Sequence, residues 1–172
     1  MPETKAAYAR RLQEDFFKKY CEAPDGFMLR GVDIGCGKGI VVPEAERYDR
    51  CINPKHDGTT VPGLVPGTYD YVYSSHLLEH LRDPVTALRN WWNLLKPGGY
   101  LLLLVPHRDL YEKRTTLPSQ FNGDHKFFIL PTRDELPVTR CLVGMLNEAI
   151  GVYDCNYMKL VERYSIECVI RK

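Results

Sequence analysis

The chain has no excess of charge of either sign: 23 Lys and Arg stand against 22 Asp and Glu, a net charge of +1 over 172 residues. The strong basic field that draws a protein onto nucleic acid is absent, so dedicated nucleic-acid binding is not expected. Long hydrophobic runs are absent too. The longest, Tyr100 to Pro106, falls well short of the roughly 20 residues of a membrane-spanning helix, and no span is expected. Met1 to Lys19 is charged rather than signal-like, which points to the cytoplasm. Cys21, Cys36, Cys51, Cys141, Cys155 and Cys168 form no CxxC pair and have no histidine at ligand spacing, so neither a metal site nor a disulfide framework is expected. Free thiols fit a reducing compartment. Repeats, linkers and low-complexity tracts are missing as well. A chain of this length fits one domain, residues 1–172, that buries about two thirds of its unfolded surface.

What is present is a strand and helix pattern. Tyr8, Leu12, Phe16 and Tyr20 recur every four residues within 1–21, which predicts one amphipathic N-terminal helix covering the sheet and able to lid a pocket. Phe27 to Ile34 reads as a buried parallel strand running into the glycines Gly35, Gly37 and Gly39. Pro43, Pro54, Gly58, Pro62, Gly63, Pro66 and Gly67 then break the chain, leaving mostly loop with short strands near 47–49 and 51–53. Tyr69 to Ser75 is the next strand, and Asp83-Pro84 opens a helix striped by Val85, Leu88, Trp91, Trp92 and Leu95. Lys96-Pro-Gly-Gly99 stops it, and Tyr100 to Val105 is too uniformly apolar for anything but a central strand. Strand, helix, strand implies a right-handed parallel crossover. Residues 107–136 form a polar segment too long for an ordinary connector. Thr139 to Ile150 is expected to be helical, and Tyr153–Leu160 with Tyr164–Ile170 to close an antiparallel hairpin.

The glycine cluster Val32-Asp-Ile-Gly-Cys-Gly-Lys-Gly39 puts bare backbone at the carboxyl end of a strand, where a nucleotide-type ligand can approach closely. The dinucleotide fingerprint fails because Ile40 stands where a third glycine or alanine belongs, and no Gly-Lys-Ser/Thr follows to make a phosphate loop.

Three pieces together, Val32 to Gly39, Tyr69-Asp-Tyr-Val-Tyr-Ser-Ser-His-Leu-Leu-Glu-His-Leu81 and Leu94-Leu-Lys-Pro-Gly-Gly-Tyr-Leu-Leu-Leu-Leu-Val-Pro106, resemble the class I S-adenosylmethionine-dependent methyltransferases. The likeness is strongest to short members of their type 11 branch. It implies an α/β fold with a Rossmann-like, mostly parallel sheet, helices on both faces and a C-terminal antiparallel hairpin. The short interval between Gly39 and Tyr69 implies trimming at the second helix and third strand. It further implies that S-adenosylmethionine is the cofactor and S-adenosylhomocysteine its product. Asp33 would take the cofactor's ammonium, and Gly35, Cys36, Gly37 and Gly39 would cradle its methionine end, with backbone N–H groups at a helix start facing its carboxylate. Asp49 would accept the ribose hydroxyls, unless the second strand ends later and Asn53 takes that place. Asp57 resembles the acid that reads the adenine amino group, and Ser74 and Ser75 would line the site by backbone and shape.

Direct displacement at a sulfonium needs alignment and a dry site more than covalent help. A base matters only for an acceptor held protonated, such as a hydroxyl. His107, after the fifth strand of the family pattern, His76 on the same edge, and His125 in the polar segment at 107–136 are the candidates to touch the acceptor. Arg108, Asp109, Tyr111 and Arg114 would shape its pocket, while Glu79 and His80 read as packing or capping residues. No Asp/Asn-Pro-Pro-Tyr or Pro-Cys motif for base methylation is present. The resemblance leaves small-molecule acceptors, sugars or cell-envelope intermediates in particular. A module that binds S-adenosylmethionine or S-adenosylhomocysteine without turnover is the alternative, and the oligomeric state is not readable.

Overall fold

The computed structural model describes residues 2–39 and 41–172. The chain runs through α1 (Pro2–Gln13), α2 (Phe16–Cys21), β1 (Gly31–Ile34), β2 (Glu46–Tyr48), β3 (Tyr69–Ser75), α3 (Pro84–Leu94), β4 (Leu95–Pro106), β5 (Phe128–Leu130), β6 (Thr139–Cys141), α4 (Leu142–Ile150), β7 (Asp154–Val161) and β8 (Ser165–Arg171). Six strands form one sheet in the order β2-β1-β3-β4-β8-β7. The first four are parallel and the last two antiparallel. This is the expected Rossmann-like sheet with its closing hairpin. No helix separates β2 from β3, so the sheet is trimmed where the short interval required.

Strand alternation assigns each face its partners. Val32, Ile34, Val72, Leu101, Leu103, Ile166, Cys168 and Ile170 pack with Leu88, Trp91, Leu142 and Leu146 of α3 and α4. Trp91 is fully buried and its Nε1 donates to Gly58 O at 2.7 Å. Burial of a ring that size contributes roughly 5 kcal/mol by area. Helix α3 begins where the sequence says: the Asp83 side chain accepts from Thr86 N at 3.0 Å, and Pro84 opens the first turn. On the opposite face Tyr71, Tyr73, Leu102 and Val169 meet Phe16, Phe17, Tyr20 and Cys21 of α2. Gly31 is required there, since a Cβ at that position would lie 1.8 Å from the Tyr71 ring.

Several boundaries differ from expectation. The N-terminal helix is two helices, because Asp15 adopts a left-handed conformation (φ 53) that turns the axis. Leu12 is left 54 % exposed, while Phe17 and Arg11 are buried in its stead. Strand β1 is shorter than Phe27–Ile34, and Phe27 is 75 % exposed. Residues 51–53 form a turn rather than a strand. Thr139 to Cys141 is not helical but pairs in parallel with β5, and its Cys141 then caps α4 by accepting from Gly144 N. The Lys96-Pro-Gly-Gly99 stop is a bulge, with Leu95 paired to Tyr69 and Tyr100 already paired to Tyr71.

Candidate cofactor and acceptor site

Because β1, β2, β3 and β4 are parallel, their carboxyl ends deliver the segments after Ile34, Tyr48, Ser75 and Pro106 to one rim of the sheet. Two cavities open there, one on each side of the glycine loop, with Gly35 in both walls.

The larger, about 510 Å³, is lined by Asp33, Gly35, Cys36, Gly37, Lys38, Gly39 and Val41, with Ser75 from β3 and Lys5 and Tyr8 from α1. Among the described residues, and apart from its chain neighbours, a Cβ at Gly37 or Gly39 would meet no protein atom within 4 Å, and Gly37 has φ 60. The loop is therefore open main chain facing space rather than a packed turn. Expectation fails in one respect. Residues 35–39 and 41–45 carry no helix, since Pro43 and the short reach to β2 leave no length for one. Polarity in this cradle comes from loop amides and not from a helix end. Ile40, which argued against a dinucleotide site, lies outside the described residues.

Asp33 forms the cavity's buried end. Its residue surface is only 2 % exposed, and among the described residues no group hydrogen-bonds its carboxylate. Burial pushes its pKa up to about 7, against the pull of Arg11 and Arg47 and with a further push from Asp49. A cationic ligand would supply what those two guanidiniums do not. Ser75 Oγ, buried at the same cavity, has no hydrogen-bond partner among the described residues. Ser74 is committed, donating to Ile34 O at 2.9 Å. Burial raises the Cys36 thiol to about 11, which leaves it a wall residue and no nucleophile.

The smaller cavity, about 240 Å³, is lined by Ile34, Gly35, Tyr48, Asp49, Arg50, His56, Gly58, Leu77, His80, Leu81 and Asp124. Strand β2 ends at Tyr48, so Asp49 directly follows it and lines this cavity, whereas Asn53 is exposed in the next turn. Its Oδ2 accepts from Gly37 N at 2.9 Å and its Oδ1 from Cys51 N at 2.7 Å. Burial works against its charge, but those amides hold its carboxyl below the ordinary range. Each oxygen keeps a lone pair for a ligand hydroxyl. Asp57 sits beside the cavity rather than in its wall, paired with Arg50 and accepting from Thr59 N and Thr60 N. Ile34, Leu77 and Leu81 give this cavity an apolar wall, and His56, stacked on Tyr48 with ring centroids 3.9 Å apart, gives it a flat aromatic one.

A family model described as a methyltransferase domain matches residues 3–136. The chain belongs to that family. It is a class I methyltransferase whose cofactor is S-adenosylmethionine. Among curated proteins it is 27 % identical to a ubiquinone biosynthesis O-methyltransferase of Vibrio parahaemolyticus, over 83 % of this chain and 81 % of that protein. Against the Aliivibrio fischeri protein of the same name the identity is again 27 %, over 59 % of this chain and 45 % of that protein, so the chain spans about half of that relative's length. Among solved structures, S-adenosylmethionine-dependent methyltransferases from Thermotoga maritima and Archaeoglobus fulgidus superpose with TM-scores of 0.62 and 0.61 at 19 % and 17 % identity. Each covers 98 % of this chain, with 91 % and 94 % of the respective neighbour matched, and each shows likeness of fold. No helix among the described residues is long and apolar enough to cross a membrane.

The histidines divide. His107 lines neither cavity; its Nδ1 accepts from Asp109 N at 3.2 Å and caps the helical turn at 108–112. His76 is held in a left-handed conformation (φ 50), an unusual state for a side-chain-bearing residue, and bends the chain after β3. It is buried, as is His125, which the polar segment folds back to the same place. Arg108, expected to shape an acceptor pocket, is buried against Glu135 and Thr139 and fastens that segment. Arg114 is spent on Pro118 O at 2.6 Å.

Glu79, read from the sequence as a packing or capping residue, has an unusual setting. It is fully buried in the 3-10 turn at 78–80, and neither carboxylate oxygen has a hydrogen-bond partner among the described residues. Burial pushes its carboxyl up, but His76, His80 and His125 around it outweigh that and leave it below the ordinary range.

Proposed function

We propose that this methyltransferase acts on a hydroxyl of a small molecule, held at the mouth of the larger cavity between α1, the glycine loop and the end of β3. The observation that carries the cofactor half of this reading is the buried Asp33 carboxylate facing the larger cavity beside unencumbered backbone. The residues fit the cofactor. Asp33 matches an ammonium, loop amides and Ser75 Oγ match a carboxylate, Asp49 matches a ribose diol, and the Tyr48, His56 and Leu77 slot matches adenine. When bound, S-adenosylmethionine supplies a methyl carbon activated by sulfonium charge and open to direct displacement. The protein's part is alignment and exclusion of water. Lys5 and Tyr8 place α1 across the larger cavity, and Arg10 and Arg11 lock that helix to Glu167 of β8.

A hydroxyl acceptor is supported by the names of the curated relatives, which are O-methyltransferases. The modest cavity favours a small acceptor, and a sugar or cell-envelope intermediate meets both conditions. The test is a mass-detected screen for methyl gain over phenols, sugars, amines and carboxylates, with Asp33→Ala as the blank. Gain confined to hydroxyl acceptors is the expected result. Gain only on amines would overturn the hydroxyl assignment, and no gain on any class would favour a binding module.

A further inference from the structure

We propose that Glu79, His80 and His125 form a binding site for a divalent first-row transition metal ion, with His76 beside it. Glu79 Oε1 lies 3.9 Å from His80 Nε2, 3.8 Å from His125 Nε2 and 3.6 Å from His76 Nδ1. These separations exceed hydrogen-bond range. Two donors bound tetrahedrally at about 2.1 Å from one ion lie about 3.4 Å apart, so the carboxylate need approach each histidine by only about half an ångström, and the two imidazoles must draw together by up to about 1.4 Å. The Glu79, His80 and His125 donor atoms all fall within 4.8 Å of one another.

The outer contacts carry the argument further. Each of the two histidines points one ring nitrogen at the shared Glu79 oxygen and gives the other to a separate carboxylate: His125 Nδ1 to Glu112 Oε1 at 2.5 Å, and His80 Nδ1 to Asp124 Oδ2 at 3.3 Å. Glu112 is in turn fixed by Ser119 Oγ at 2.6 Å. A carboxylate on the far nitrogen orients an imidazole and raises its basicity toward a metal. Both oxygens of the fully buried Glu79 carboxylate lack a hydrogen-bond partner among the described residues, so an ion arriving between the donors would find lone pairs that no proton donor occupies. Imidazole with carboxylate suits Zn²⁺, Co²⁺, Mn²⁺, Fe²⁺ or Ni²⁺ better than Ca²⁺. Three protein donors leave positions for water or a hydroxyl, whose proton affinity the ion would lower. His80 and Asp124 also line the smaller cavity, which puts the site on the cofactor rim. The assignment stands on these residues alone and does not depend on the methyl-transfer reading.

The test is titration of the chelator-stripped full chain with Co²⁺, followed by visible absorption, and with Zn²⁺ by calorimetry. One ion per chain with ligand-field bands of nitrogen and oxygen coordination is the expected result. Affinity should fall by at least about 100-fold in Glu79→Gln and His125→Ala, and by about 10-fold to 100-fold in Asp124→Asn. Asp124 is mostly exposed, so its variant keeps the fold should the buried changes lose it. Asp33→Asn should lose S-adenosylmethionine and keep Co²⁺, which separates this site from the cofactor reading. Absence of stoichiometric uptake, or uptake unchanged in folded Glu79→Gln and Asp124→Asn, would overturn the proposal and leave the cluster as a packing arrangement of the rim.

Discussion

Asp33 and Glu79 are two buried carboxylates on the same rim of one sheet, and their protonation is driven in opposite directions. Asp33 has guanidiniums nearby but no hydrogen bond to its oxygens among the described residues, and burial prevails, raising its pKa to about 7. Glu79 is buried more completely, yet three imidazoles at its oxygens hold it below the ordinary range. Depth alone does not set the charge of a buried acid; the number and closeness of the groups that face it decide it. On the readings proposed above, Asp33 would take a cation that arrives with a ligand, whereas Glu79 is already surrounded by donors that a small ion would share.

The largest expected effect comes from removing a cation on the Asp33 side. Arg11 is fully buried, 2.7 Å from Glu167, itself fully buried, and hydrogen-bonded to Tyr73. Arg11→Met should lower unfolding free energy by about 3–5 kcal/mol in urea melts, because it strands a buried carboxylate. A loss under 1 kcal/mol would mean that Arg10 carries Glu167 by itself.

Proton linkage gives the next effect. The folded pKa of Asp33 lies above the ordinary unfolded value of about 3.9, so its stabilising contribution is complete below that value and is lost as pH rises through about 7. The ligand-free protein should lose up to about 4 kcal/mol over that window, a loss that Asp33→Asn abolishes. Cofactor affinity should run the other way, rising about tenfold per pH unit below 7 and levelling above it, since the ammonium pairs with the ionised acid. A flat calorimetric profile for the wild type would break the assignment of Asp33.

At pH 8 the two acids should separate by ligand. Asp33→Asn is expected to weaken S-adenosylmethionine about 100-fold, or about 2.7 kcal/mol, while Glu79→Gln changes it less than about twofold. Equal losses would show that the rim works as one unit. The smallest effect is at His107, where alanine should cost about 1 kcal/mol in melting as a lost cap and leave cofactor affinity unchanged. Loss of turnover with intact stability would return His107 to the acceptor site.

Much of the Asp33 side was legible before folding. Gly35, Gly37 and Gly39 follow a strand directly, and the αL turn at Gly37 demands the residue type found there. Asp49 was within reach because it follows a short strand, although the end of that strand was fixed only by the pairing of Ile34 with Tyr48. Arg11 was not legible: a charged residue on a helix reads as solvated, and its partner Glu167 is 156 residues away. The same distance problem hid the Glu79 cluster. Glu79 and His80 are neighbours on a short turn, but His125 and Glu112 arrive by the folding of a polar segment that carries no periodic signal of its own.

From the sequence alone came the parallel sheet, the closing hairpin and the bare loop at the mouth of β1, because alternation, apolar runs and glycine act over a few residues and leave a local mark. Tertiary structure alone decided which charges are buried, where the N-terminal helix breaks, and which donors converge on Glu79. Those outcomes depend on contacts between segments far apart in the chain, and an acid or a histidine carries no local sign of what will face it.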